Sequence, residues 1–87
     1  MFNVYILKNS KERFYIGYTS KTVEERLHEH NHGNCRWTRD KGPWKICYVE
    51  ALVTREEAYR RERQLKSYKG GRAFKALLVF NRHGEVA

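Results

Sequence analysis

The run Phe2-Asn3-Val4-Tyr5-Ile6-Leu7-Lys8, followed after four polar residues by Arg13-Phe14-Tyr15-Ile16-Gly17-Tyr18, decides the fold. Each half is rich in β-branched and aromatic residues, which suit a pleated surface. Asn9, Ser10, Lys11 and Glu12 supply a turn between them, so the pair predicts a β-hairpin. Pairing Val4 with Ile16 and Ile6 with Phe14 puts these four apolar side chains on one face, whereas a one-residue slip mixes the faces. The same register sets Tyr5 opposite Tyr15 on the other face, with Gly17 beyond them, and brings the two phenols to roughly 5 Å at Cβ.

Outward from the hairpin, Thr22 to about Asn31 reads as a helix. Thr22 and Glu25 have capping-box spacing, and Val23, Arg26, Leu27 and His30 share one face. A loop beginning at His32, containing Gly33, Gly42 and Pro43, leads to a third strand, Trp44 to Ala51. There Trp44, Ile46 and Tyr48 alternate with Lys45, Cys47 and Val49. Thr54 to about Tyr68 reads as a second helix, with Thr54 and Glu57 as another capping box and an inner face of Ala58, Arg61, Glu62 and Leu65. Gly70 and Gly71 end it, and a third helix from Arg72 to Phe80 turns Ala73, Phe74, Leu77 and Leu78 inward. The order predicts an α+β fold, a small three-stranded antiparallel sheet flanked by about three helices, over residues 1–80, with 81–87 as a flexible tail.

With 87 residues there is room for one domain with a thin core. The net charge of +8 points to a polyanionic partner, nucleic acid first and an anionic membrane surface second. No apolar run reaches membrane-spanning length and the N-terminus has no signal-peptide pattern, so the expected location is the cytoplasm and no membrane partner is expected. Cys35 and Cys47 form no C-x-x-C pair and are expected as free thiols.

The positive charge is concentrated. From Arg60 to Lys75 the basic residues Arg60, Arg61, Arg63, Lys66, Lys69, Arg72 and Lys75 surround one acid, Glu62. The loop adds Arg36, Arg39, Lys41 and Lys45 around Trp37 and Trp44. Basic residues interleaved with aromatics suit phosphate contacts with base stacking, against the plainer alternative of a solvated helix face. Trp44, in strand alternation, is expected in the core; Trp37, in the loop, is the stacking candidate.

Tyr5 with Tyr15, Arg26 with His30, and Glu62 are polar groups on stripes directed at the sheet, where an ionisable side chain costs free energy unless paired or functional. Each has an ordinary explanation. Strand tyrosines pack, Arg26 and His30 snorkel, and Glu62 pairs with Lys66 four residues on. Their convergence on one sheet face raises the functional reading. His28, His30, His32 and Cys35 lack the paired, tight spacing of a structural zinc site: His28 and His32 share a helix face while His30 points nearly opposite, so zinc is not expected. Neither a nucleophile elbow nor a phosphate-binding P-loop is present.

Taken in order, these residues resemble the GIY-YIG nuclease superfamily, and within it the small single-domain UPF0213-type members, from about Val4 to Leu78. The second motif is intact as Tyr15-Ile16-Gly17, while Asn3-Val4-Tyr5 keeps only the tyrosine of the first. The helix signature R-L-x-x-H stands as Arg26-Leu27-His28-Glu29-His30. Thr38-Arg39, Pro43-Trp44 and Tyr48 look like the family's loop and third strand, and Glu57-Ala58, Arg61-Glu62 and Lys66 resemble the helix with its metal-binding glutamate.

The resemblance implies a divalent-metal-dependent endonuclease that hydrolyses DNA phosphodiester bonds in repair, recombination or turnover. It implies Glu62 as the sole protein ligand of one Mg²⁺ or Mn²⁺ ion, Arg26 as the group stabilising charge at phosphorus, and Tyr5 as general base or relay. Tyr15 would orient the attacking group and His30 would position or deprotonate it. Gly17 would let the backbone approach a phosphate, and Arg36, Trp37, Arg39, Arg61, Lys66, Lys69 and Arg72 would complete the DNA-binding set. Tyr18 stands where some members carry a lysine near the site, so no help is expected from that position. Larger relatives carry a module that selects the DNA, which leaves room here for a protein partner supplying selectivity. The alternative is a nucleic-acid-binding module of the same fold with weak catalysis; a third, weaker reading is a protein-interaction adaptor with an acidic partner.

Overall fold

The computed structural model describes residues 1–33, 38, 41–69 and 71–80, with backbone alone at Val79 and Phe80. Arg36, Trp37 and Arg39, together with Cys35, Gly70 and the tail, lie outside the described residues. Three strands, β1 (Phe2–Asn9), β2 (Phe14–Thr19) and β3 (Trp44–Leu52), form one antiparallel sheet in the order β2-β1-β3. Helices α1 (Val23–Asn31), α2 (Arg55–Ser67) and α3 (Arg72–Phe80) complete the α+β fold. No helix among the described residues is long and apolar enough to cross a membrane.

The central position of β1 explains its unbroken apolar run. Val4, Tyr5, Ile6 and Leu7 are all fully buried, because a strand covered on both faces needs apolar side chains at every position. Val4 and Ile6 join Tyr48, Ala58, Leu65 and Phe74 in a cluster under α2 and α3, and Tyr5 and Leu7 join Val23 and Trp44 in a second cluster under α1. Phe74, Leu77 and Leu78 of α3 pack against the first cluster as expected, while Ala73 is exposed.

The hairpin register differs from expectation by two residues. Ile6 faces Ile16, Tyr5 faces Gly17, and Tyr15 lies opposite Leu7. The cause is the turn. The Asn9 side-chain oxygen accepts from the Lys11 and Arg13 amides at 3.0 and 2.9 Å, and the Asn9 amide donates to the Arg13 carbonyl at 3.0 Å. Asn9 thus closes the loop on itself and extends β1 by one residue, with Glu12 taking a left-handed φ of 59°. A slip of two keeps every side chain on its face, so the separation into apolar and tyrosine-bearing faces stands.

A second correction concerns β3. Ile6 faces Tyr48 and Leu7 faces Ile46, so Cys47 is an extra residue opposite β1. Beyond this bulge the alternation changes face: Trp44 and Ile46 pack under α1, and Tyr48 packs under α2.

The helices begin where the threonines place them. Thr22 Oγ1 accepts from the Glu25 amide at 3.2 Å, and Thr54 and Glu57 form a complete capping box. Since α1 and α2 cover opposite faces, the expected convergence of Tyr5, Tyr15, Arg26, His30 and Glu62 on one sheet face does not occur: Glu62 stands on the far-side helix.

Candidate active site

Four of the five expected site residues meet under α1. Val23 anchors that helix in the sheet, and the residues one and two turns on, Arg26 and His30, carry its polar groups inward with Leu27 beside them. Tyr5, 0% exposed, reaches its hydroxyl to 3.1 Å from Nε2 of His30, which is 1% exposed. The Tyr15 ring lies 4.6 Å from the His30 ring and 6.2 Å from that of Tyr5, centroid to centroid. Gly17 makes this possible: a Cβ there would stand 2.8 Å from the Tyr5 hydroxyl and 3.1 Å from Tyr15 Cε1. The glycine expected to admit a phosphate is therefore required by the two tyrosine rings themselves.

His30 has a second partner that the sequence reading missed. Its Nδ1 lies 2.7 Å from Oγ1 of the buried Thr38. The Trp44 indole N–H donates to the Thr38 carbonyl at 3.2 Å, and Asn31 ties the same tryptophan to α1, accepting from its amide at 2.7 Å and donating to its carbonyl at 3.2 Å. A chain of contacts thus runs from Tyr5 through His30 to Thr38, braced by Trp44. Thr38 sits in the basic loop outside any periodic pattern, and its place beside Arg39 in the family-like segment was the one available signal.

The electrostatics favour a neutral imidazole. Burial first, and the Arg26 charge second, pull the His30 pKa from about 6.5 to about 4, with Glu29 opposing. At neutral pH one ring nitrogen therefore donates and the other accepts. Burial works against the Arg26 charge, but the Tyr5 hydroxyl and the Glu29 carboxylate outweigh it and raise its pKa above the ordinary arginine value. Arg26 Nη1 bonds Glu29 Oε1, and Lys21 holds Glu29 Oε2 at 2.8 Å, so the guanidinium is fixed from outside. Its Nε is buried with no hydrogen-bond partner among the described residues.

Across the sheet edge, Glu62 is 14% exposed and pairs with Lys66 at 3.1 Å. A groove of about 740 Å³ passes along β2 between the two faces, bounded by Arg13, Tyr15 and Lys41 on one side and Lys66 and Lys69 on the other. It brings Tyr15 to the helix that carries Glu62, and does not itself reach Tyr5 or His30. Lys69 and Arg72 are exposed. Arg61, expected on the DNA-binding strip, is turned inward instead. Its Nε donates to Glu50 Oε1 at 2.9 Å and its Nη1 to Gln64 Oε1 at 2.8 Å, while Tyr48 also donates to Glu50. Burial raises the Tyr48 pKa, helped by Glu50, and the Arg61 pKa is raised because Tyr48 and Glu50 outweigh the cost of its burial. Arg61 thus clamps α2 to β3.

A model of the GIY-YIG catalytic domain matches residues 1–73. The chain belongs to the GIY-YIG family. It is 42% identical over 66 residues to a UPF0213 protein of Haloquadratum walsbyi, covering 75% of this chain and 73% of that one. To a UPF0213 protein of Clostridium perfringens it is 41% identical over 64 residues, covering 72% and 68% respectively. The solution NMR structure of a UPF0213 protein from Bacillus halodurans superposes with a TM-score of 0.62 at 30% identity, covering 98% of this chain and 90% of that one. GIY-YIG is a nuclease family whose members act on nucleic acid and generally use a divalent metal.

Proposed function

We propose that this GIY-YIG protein is a divalent-metal-dependent endonuclease that hydrolyses DNA phosphodiester bonds, serving repair, recombination or turnover in the cytoplasm. The observation that carries the reading is the buried chain Tyr5–His30–Thr38 beside the Arg26 guanidinium. The Arg26 side chain is 27% exposed, so a phosphate oxygen can approach its outer edge and gain charge-assisted hydrogen bonds there. Neutral His30 accepts the Tyr5 O–H at Nε2 in the tautomer whose Nδ1–H donates to Thr38 Oγ1, which orients the phenol. Arg26 stabilises the charge that develops on the phosphate oxygens. Because Tyr5 is sealed from solvent, it serves as relay, and the part-exposed Tyr15, on the groove, orients the attacking water.

Glu62 suits the family's metal. Its donor set is one carboxylate, with no cluster of three His, Cys, Asp or Glu among the described residues. Hard Mg²⁺ or Mn²⁺ accepts such a site, completing its shell with water and substrate phosphate. When bound, the ion supplies charge neutralisation at the phosphate. Lys66 must then release Glu62 and is free to meet DNA, along with Lys69 and Arg72; Arg36, Trp37 and Arg39 are assigned to the same DNA surface from the sequence alone. A protein partner selecting the substrate completes the proposal. The second reading, a DNA-binding module with weak catalysis, has its support in the position of Glu62 on the helix opposite Tyr5 and His30.

A plasmid-nicking assay in Mg²⁺, Mn²⁺ or chelator, beside a DNA affinity titration, separates these readings. On folded variants Glu62→Gln and Arg26→Ala are expected to abolish cleavage, the latter by about 10²–10³-fold. Glu62→Gln is expected to hold or slightly raise DNA affinity, because one repulsion is lost. Wild-type cleavage by Glu62→Gln removes the metal assignment, and binding without nicking by the wild-type protein favours the second reading.

A further inference from the structure

On the outer side of α1, His28 and His32 stand one turn apart, both exposed. Their rings stack with centroids 3.9 Å apart and planes 28° from parallel. His32 Nδ1 lies 2.8 Å from the His28 carbonyl oxygen. An oxygen acceptor there requires Nδ1 to carry the proton, so the His32 lone pair is on Nε2, directed away from the backbone. A ring nitrogen bonded to a main-chain carbonyl while the other stays open is the arrangement that orients histidine ligands in metal sites. Stacked rings aim their lone pairs side by side, so chelation requires the exposed His28 ring to rotate out of the stack until one of its nitrogens and His32 Nε2 converge on one ion. The helix C-terminus also carries partial negative charge, which favours a cation there.

We propose that His28 and His32 form a two-nitrogen clip for a borderline transition-metal ion, Zn²⁺, Ni²⁺ or Cu²⁺, separate from Glu62. Imidazole pairs select these ions, whereas Mg²⁺ prefers oxygen. No third His, Cys, Asp or Glu clusters with them among the described residues, so the clip proper is two imidazole nitrogens. This is not the structural zinc site that the sequence argued against. It holds no part of the core, and the inward His30 takes no part in it. It does close over the turn of α1 that carries His30, from His28 to His32, so occupancy fastens the turn whose ring meets Tyr5.

The test is a titration of the full, tag-free chain with Zn²⁺ and with Ni²⁺, followed by the histidine ring resonances and by calorimetry, with Mg²⁺ as a parallel arm. One ion is expected to bind per chain, moving the His28 and His32 ring signals, and Mg²⁺ is expected to leave both unmoved. His28→Ala and His32→Ala should each weaken Ni²⁺ binding roughly ten-fold or more. Because both side chains are exposed, these variants fold, and their melting temperatures without metal should match the wild type. Bound Ni²⁺ should raise the wild-type melting temperature and not that of either variant. Cys35→Ser and Cys47→Ser should bind as the wild type does. Unaltered affinity in both histidine variants, or affinity lost with Cys35→Ser instead, overturns the clip.

Discussion

On the α2–α3 side of the sheet, Ala58, Leu65 and Phe74 close over Val4 and Ile6, and the polar clamp of Glu50, Tyr48 and Arg61 is confined to the margin. On the α1 side, Val23 and Leu7 share their layer with Tyr5, His30 and Thr38. Both layers are buried, yet the first gains mainly from apolar burial and the second depends on hydrogen bonds among its polar groups. A small domain has little stability in reserve. The polar layer can exist because the apolar layer on the other face of β1 carries the fold, and β1, buried on both sides, joins the two.

The difference predicts how the faces fail. Phe74, 2% exposed and edge-on to Phe14 at 5.0 Å between ring centroids, fills the apolar layer. Phe74→Ala should cost about 3–5 kcal/mol, enough to unfold much of a domain this size at physiological temperature. Urea denaturation measures it. A loss below about 1 kcal/mol would mean that α3 is not part of the stabilising core, and the contrast between the faces would disappear.

The polar layer should fail with acid. Neutral in both states above about pH 6.5, His30 stays neutral in the folded chain down to about pH 4, where the unfolded chain already binds a proton. Its lowered pKa therefore gives stability that is fully present above about 6.5 and is lost as the pH falls toward 4, at most about 3 kcal/mol. His30→Gln retains a donor and an acceptor but has no such titration. Urea midpoints at pH 7.5 and 4.5 should fall further for the wild type than for His30→Gln. Parallel curves would show that the imidazole is not held neutral in the layer.

Much of this architecture is legible in the sequence because the signals are periodic. Alternation in the two tyrosine-bearing runs marks the hairpin and its faces, and that assignment survives a register error of two because side chains repeat every two residues. Thr22 and Thr54 mark the helix starts. What escapes is aperiodic. The self-closing turn at Asn9 looks like any polar loop, the Cys47 bulge leaves the alternation of β3 apparently intact, and Thr38 belongs to no pattern at all. The α1 cluster of Arg26, His30, Tyr5 and Tyr15 was readable from helix and strand phases alone. The side of the sheet taken by Glu62 was not, since helical phase says which face of α2 is inward and not which face of the sheet it covers.

The smallest expected effect lies along α2 and the turn that follows it, where neighbouring cations have different commitments. Lys69 is exposed, Lys66 is shared with Glu62 at 3.1 Å, and Arg61 is held by Glu50 at 2.9 Å. A cation that neutralises a DNA phosphate adds about 0.9 to the slope of log affinity against log salt, and one already paired inside the protein adds little. Lys69→Ala should therefore flatten the slope by nearly that amount. The Lys66→Ala, Lys69→Ala pair should flatten it by between about 0.9 and 1.8, because Lys66 must first leave Glu62. Arg61→Ala should leave the slope unchanged while lowering the melting temperature, since its loss strands Glu50 and Tyr48 in the clamp. Anisotropy titrations on one duplex from 50 to 200 mM salt, roughly the range over which such contacts are most visible, measure all three variants. A slope lowered by Arg61→Ala and untouched by Lys69→Ala would place the DNA on the β3 side of α2, away from the groove that Tyr15 lines, and the division of labour between the two faces would have to be redrawn.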